Sequence, residues 1–272
     1  MAYAVASIFV HHGLTPYEPV IHSVAMRWHA ALVGLSMAIT LGQITRKLKN
    51  DLVRLSEIFF EWRYGIVSDG EIVGSELGFT ENACHDYQAT SYVRFHQLMK
   101  KVPIRQNADV FLDFGSGMGR AVILAATYPF RKVIGVELAT DLHTRASENV
   151  KRAAKRLRCR DIELYNVDAR RFRIPPEVTM IYMWNPFAGE VLREVFANIQ
   201  KSIAEHPRLV TILYLSPINP TSLDAIKEGL PWLNETNRTR LGPQSLAVFY
   251  TCGVAEAAAT LSNALSTLAQ IT

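Results

Sequence analysis

The chain has 272 residues, 49% of them apolar and 20% charged, with 15 Gly and 12 Pro. That composition excludes a disordered, collagen-like or disulfide-stapled chain and supplies enough apolar side chains for one large domain, or one domain with an accessory segment. The 29 basic and 25 acidic residues leave a net charge of +4, far from the balance of a dedicated nucleic-acid binder.

From Trp28 to Thr45 the sequence lacks Asp, Glu, Lys and Arg. As a helix, 30–45 would rise only about 24 Å against a hydrocarbon core of about 30 Å. His29, Ser36, Gly42 and Gln43 dilute the run further. A buried or partner-packed helix is therefore preferred over a membrane anchor. The expected location is cytoplasmic, with membrane association through this helix or a partner-helix contact through 28–62 left open. Next, Leu41, Ile44, Leu48, Leu52, Leu55, Phe59 and Trp62 recur at steps of three and four. They predict one amphipathic helix that packs its stripe on the main domain and stops at Gly65. A polar, Gly-containing stretch from Ser68 to Asp86 reads as a linker or lid. Residues 1–80 thus form a helical N-terminal extension.

Beyond Tyr87 the pattern alternates. A helix over Ser91 to Lys101 precedes an apolar run at 109–114, a glycine-rich turn, a helix from Arg120 to Tyr128 and a second apolar run at 132–138, which together make a βαβ unit. Then follow a basic helix from Thr140 to about Leu157, strands at 162–168 and 178–184, a helix from Gly189 to Glu205 and a strand at 209–215. The cadence predicts an α/β fold, a doubly wound, mostly parallel sheet with helices on both faces. Past Pro220, a short helix and β-rich runs near 233–240 and 245–252 close the sheet as an antiparallel hairpin. The domain then spans 81–253, and 254–272 reads as a helical C-terminal tail. Cys84, Cys159 and Cys252 have no Cys-x-x-Cys spacing, so neither a zinc cluster nor a disulfide framework is indicated, and no metal is expected.

The chemistry concentrates at the ends of the strands. Asp113, Gly115, Ser116, Gly117 and Gly119 form a turn in which closely spaced glycines admit a ligand without Cβ clash, while the following helix offers free N–H groups. A dinucleotide fingerprint is disfavoured, because its third glycine falls on Arg120 or Val122 according to the starting point. Asp-x-Gly-x-Gly-x-Gly suits a cofactor with an amino-acid end and no pyrophosphate, whose ammonium Asp113 can hold. Glu137 stands where an acid accepts ribose hydroxyls, Asp168 and Ala169 stand where adenine would sit, and Asn185-Pro186-Phe187 ends the fourth strand. Each has a bland alternative as a turn or strand terminator. Their shared registry at the carboxyl ends of the strands outweighs the separate alternatives.

The stretches FLDFGSGMGR, VIGVEL, YNVDARRF and WNPF resemble a class I, seven-strand S-adenosylmethionine-dependent methyltransferase in order and spacing. The likeness runs from about residue 82 to 220. It is similar in particular to the non-SET lysine methyltransferases of the telomeric-silencing type, whose Tyr-x-x-Thr-Ser is matched by Tyr87, Thr90 and Ser91 and whose Asn-x-Phe is matched by Asn185 and Phe187. Two positions depart from those relatives: Arg120 stands where Gln is favoured, and Pro186 lies inside the triplet. The triplet also resembles the Asn-Pro-Pro-Tyr/Phe of enzymes that methylate amide or exocyclic nitrogens, one proline short.

The resemblance implies S-adenosylmethionine as cofactor and nitrogen as acceptor, with protein lysine ahead of nucleic acid and small molecules. Rival readings are a module that binds the cofactor without transfer, and a dehydrogenase. Tyr87 and Thr90 would belong to a lid over the methionine end, with Asn185, Pro186 and Phe187 at the acceptor. An aromatic wall near the sulfonium is expected from Tyr87, Tyr92 or Trp184. His85 reads more simply as a surface residue than as a base. The cations at 151–173 read as a solvated face rather than a nucleic-acid footprint, since no aromatic residues interleave with them.

Overall fold

The computed structural model describes residues 44, 45, 47, 48, 51–68, 70–72, 87–216, 221–242 and 245–253. The chain divides into two compact units, Met1–Leu55 and Ser56–Thr272. In the first unit the described residues are helical, with Ile44, Leu48, Leu52 and Leu55 exposed.

Residues 51–64 form helix α1. It stops where the glycine was expected. Gly65 adopts φ +69°, its N–H donates to the Trp62 carbonyl, and the Ile66 N–H reaches back to the Glu61 carbonyl, so a left-handed residue satisfies the last carbonyls. The face that packs is not the expected stripe. In the second unit Phe59 and Trp62 are exposed, while Phe60 and Tyr64 join the core of that unit and Glu57 and Glu61 turn inward to a buried cation. Hydrophobic periodicity alone cannot recognise a packing face that carries two carboxylates.

Short strands β1 (Glu71–Ile72) and β2 (Tyr87–Gln88) pair antiparallel, with Ile72 opposite Tyr87. Helix α2 is Tyr92–Met99. The sheet then builds from β3 (Val110–Phe114), β4 (Lys132–Glu137), β5 (Ile162–Asn166), β6 (Met180–Trp184), β7 (Val210–Ser216), β8 (Asn234–Gly242) and β9 (Ser245–Cys252). Helices α3 (Arg120–Ala125), α4 (Thr140–Ala153) and α5 (Gly189–Glu205) cross over between parallel neighbours. The strand order is β5-β4-β3-β6-β7-β9-β8, with five parallel strands and an antiparallel β9–β8 edge. This is the doubly wound, seven-strand, mostly parallel sheet that the alternation predicts. Past Pro220 the only described helical turn is a 3-10 turn at Lys227–Gly229.

Alternation across the strands divides the core. Val110, Leu112 and Phe114 face the side covered by Val195, Phe196 and Ile199 of α5. Phe111 faces the other side with Phe95 of α2 and Ile123 and Leu124 of α3. Both faces are dry, so β3 is buried along its whole length, as a central parallel strand must be.

Membrane association through an N-terminal apolar helix is corrected. Among the described residues no helix is long and apolar enough to cross a membrane. In the described helix α1, Asp51, Arg54, Glu57, Glu61 and Arg63 interrupt any apolar run. The stretch 28–43, most of the lid at 73–86 with His85 and Cys84, and the tail at 254–272 lie outside the described residues. Cys159 and Cys252 are buried free thiols, and burial pushes that of Cys252 up to about 12.

Candidate active site

In an open α/β sheet a ligand crevice forms where successive crossovers leave one strand in opposite directions. Here that point lies between β3 and β6, because β4 follows β3 on one side and β6 flanks it on the other. The turn after β3 and the triplet after β6 therefore meet there. A Cβ built on Gly115 would lie 2.7 Å from Cβ of Pro186. One built on Gly117 would lie 2.3 Å from Cε2 of Tyr87, and one on Gly119 would lie 3.1 Å from Cβ of Ala146 in α4. The three glycines hold φ of +75°, +52° and +81°, which side chains rarely tolerate. The sequence signal at this turn thus reports conformation and close approach together. The Gly115 and Ser116 N–H groups donate to the Val136 carbonyl at 2.9 and 3.0 Å, which anchors the turn on β4.

Asp113 is buried at 2% exposure, and its carboxyl forms no hydrogen bond among the described residues. Burial pushes its pKa well above the usual carboxylate range, and the nearby Glu137 charge adds to the shift. A buried carboxyl of this kind beside a glycine cradle fits the cationic amino-acid end of S-adenosylmethionine. Glu137 is also raised by burial, against backbone hydrogen bonds that favour its charge. Its two oxygens accept the N–H of Gly117 and of Ala139, each at 2.8 Å. Each oxygen keeps a further lone pair for a hydroxyl.

Asn185 follows β6 with φ +41°, a backbone conformation that Asn enters more readily than most residues. Its Oδ1 accepts the Tyr214 hydroxyl at 2.7 Å, with both residues buried. Sequence reasoning missed Tyr214, because a tyrosine inside an apolar β7 run carries no sign of a polar partner. Phe187 belongs to the core around α5, and Pro186 is half-buried against the glycine turn. Asp168 and Ala169 follow β5. The Asp168 carboxylate is gripped by Nε and Nη2 of Arg170, at 2.9 and 2.7 Å from Oδ2, and this partner holds its pKa below the usual range. Ala169 is buried.

The expected aromatic wall separates into different roles. The Tyr87 ring lies on Gly117 and packs with Met118 and Leu142, while its hydroxyl donates to the Ser68 carbonyl at 2.7 Å. Tyr92 is fully buried, stacked on Phe60 and covered by the Arg120 guanidinium at 4.8 Å. Trp184 is half-buried at the end of β6. The Thr90 hydroxyl pairs with that of Tyr182 at 3.2 Å. Among the described residues no cluster of His, Cys, Asp and Glu is suited to a metal ion.

The family model for histone methylation protein DOT1 matches residues 79–182. No curated protein matches. Solved structures with a similar fold include an RNA methyltransferase from Salinibacter ruber in complex with S-adenosyl-L-homocysteine, at 19% identity and TM-score 0.45 over 61% of this chain and 94% of that one. A SAM-dependent methyltransferase from Aquifex aeolicus matches at 13% identity and TM-score 0.48, covering 60% and 94% of the two chains. Human methyltransferase 10 domain containing protein matches at 14% and 0.49, covering 75% and 97%. By its strand order and its glycine turn, and with the family match over residues 79–182, the domain that carries these residues has the fold of the class I, S-adenosylmethionine-dependent methyltransferases.

Proposed function

We propose that the protein methylates nitrogen, and that the nitrogen is the side-chain amine of a lysine in a protein. The observation that carries this reading is Asn185 at the switch point, buried, backbone-strained and with its amide oriented by Tyr214, directly beside the glycine turn. The name of the matched family, a histone methylation protein, supports a protein acceptor. S-adenosylmethionine, when bound, would supply an electrophilic methyl group on a sulfonium: its C–S bond would break, leaving a neutral thioether, as the nitrogen of a neutral amine bonds to the carbon in line and then gives a proton to solvent.

The residues of the chain do the rest. Asp113 takes the ammonium of the cofactor's amino-acid end, while Gly115, Ser116, Gly117 and Gly119 give it backbone clearance. Glu137 takes the ribose hydroxyls, and Asp168 and Ala169 border the base. Tyr87 and Thr90 close the methionine end. Asn185 Oδ1, through its remaining lone pair, and the Pro186 carbonyl align the amine, with Phe187 backing that loop. Removing the amine from water lowers its pKa, so a lone pair is available without a dedicated base. In this reading 81–253 is the catalytic domain and 1–80 its helical extension.

The placement of the basic window lends a nucleic-acid acceptor no support, because its cations do not form one patch. Lys151, Arg152 and Lys155 lie where α4 ends, before β5, whereas Arg170, Arg171 and Arg173 follow it, so the five residues of β5, about 16 Å of strand, separate the two groups. Incubation of a cell extract with labelled S-adenosylmethionine tests the acceptor. Label that survives nuclease, yields to protease and is recovered as methyl-lysine is expected. Label in RNA would overturn the lysine assignment.

Asp113 sets a pH dependence. Its raised pKa means that the unliganded carboxyl keeps its proton up to higher pH than an ordinary carboxylate. The cofactor's ammonium favours the ionised form, so binding should release a proton and affinity should rise as pH rises through that pKa. For folding the sign is opposite: this group's contribution to unliganded stability is greatest at low pH and is lost as pH rises through the folded pKa. Calorimetry in buffers of different ionisation enthalpy should show proton release. Proton uptake, or no exchange at any pH, would remove Asp113 from the ammonium site.

A further inference from the structure

Arg120, the departure noted in the sequence, is buried at 3% exposure immediately after the last glycine of the turn. Its guanidinium donates from Nη1 to Glu57 Oε2 at 2.7 Å and to the Thr90 carbonyl at 3.3 Å, from Nη2 to Glu61 Oε1 at 2.9 Å, and from Nε to Ser68 Oγ at 2.8 Å. One planar fork thus ties α1, the loop after it and the segment before α2 to the start of α3. Only Arg offers donors in that geometry, and Lys cannot replace it.

The carboxylates are held in turn. Glu57 Oε1 accepts the Ser91 hydroxyl and the Tyr92 N–H, and Glu61 Oε1 accepts both the N–H and the hydroxyl of Ser68. Ser68 passes the connection on, because its carbonyl receives the Tyr87 hydroxyl and the Tyr87 ring lies against Gly117. Asn149 ties the same loop to the turn a second time, bonding both Val67 and the Met118 carbonyl.

Resting on the reading that Gly117 and Tyr87 border the cofactor, we propose that Arg120 is a positioning residue. With Glu57, Glu61 and Ser68 it fixes the segment 56–68 on the glycine turn and sets Tyr87 over the methionine end, so that cofactor binding and docking of this segment are coupled. A guanidinium left buried without its carboxylates is strongly unfavourable, whereas one re-exposed to water is not. The segment therefore docks or leaves as a unit with the Tyr87 lid, and a ligand held under Tyr87 favours the docked form.

The full chain with S-adenosylhomocysteine tests this. Hydrogen exchange in 56–68 should slow when the ligand is added. In calorimetry, Glu61→Ala should weaken binding by about tenfold, and Glu61→Gln, which keeps an acceptor oxygen, should restore most of it. Tyr87→Phe, which leaves every buried charge in place and so remains informative if Glu61→Ala does not fold, should also weaken binding. Its effect should be less than additive with that of Glu61→Ala. A wild type that binds, with exchange in 56–68 unchanged and Tyr87→Phe within twofold of its affinity, overturns the coupling and leaves the cofactor site standing. A folded wild type that does not bind overturns both.

Discussion

Gly117→Val should abolish S-adenosylmethionine binding in calorimetry while the sheet survives by circular dichroism. The residue sits at φ +52°, and its first added carbon would lie 2.3 and 2.6 Å from Cε2 and Cδ2 of Tyr87. Optimal carbon contacts are about 3.5–4.0 Å, so either the ring is expelled, breaking its bond to Ser68, or the turn moves. Backbone strain adds about 1–3 kcal/mol and overpacking a similar amount, together enough for a loss of roughly two orders of magnitude or more in affinity. Gly229→Ala is the control, because nothing lies within 4 Å of its added Cβ. Binding by Gly117→Val at wild-type strength would mean that the turn is not the cofactor site.

Asn185→Gly should reduce methyl transfer by roughly a hundredfold or more, with a smaller loss of cofactor affinity. Glycine accepts φ +41° without cost, so this substitution removes the amide and leaves the backbone path intact, which Ala would not do. Tyr214→Phe acts one step further back. It keeps the ring in the core and deletes the 2.7 Å hydrogen bond that orients the amide, so a loss of about fivefold to tenfold is expected. Single-turnover rates with labelled cofactor separate the effects. An Asn185→Gly enzyme that transfers methyl within threefold of the wild type would exclude the amide from aligning the acceptor.

Much of this site was legible in the sequence for a specific reason. Parallel strands are continuous apolar runs, and each run ends where the chain must turn, so Asp113, Glu137 and Asn185 announced themselves as polar residues at those ends. The glycines were legible because positive φ and close approach leave few substitutes. What the sequence concealed was pairing. Glu57 and Glu61 lie off the apolar stripe and carry no signal of their own, and Arg120 stands out only as a departure from a family pattern, whereas the fold brings both carboxylates within 3 Å of that guanidinium. Asp168 reads from the sequence as an acid placed beside the base, and nothing local shows that Arg170, two residues on, holds it.

Local chemistry therefore determined the order of strands and helices, the place of the crevice and the class of cofactor, because periodicity and backbone permissiveness act within a few residues. Which face of α1 is buried, how the Asn185 amide is oriented and what packs on the glycine turn were decided only by tertiary structure. Each depends on groups between 29 and 63 positions apart, Tyr214 with Asn185 and Arg120 with Glu57, and no local pattern can encode whether a polar side chain will meet a partner or water.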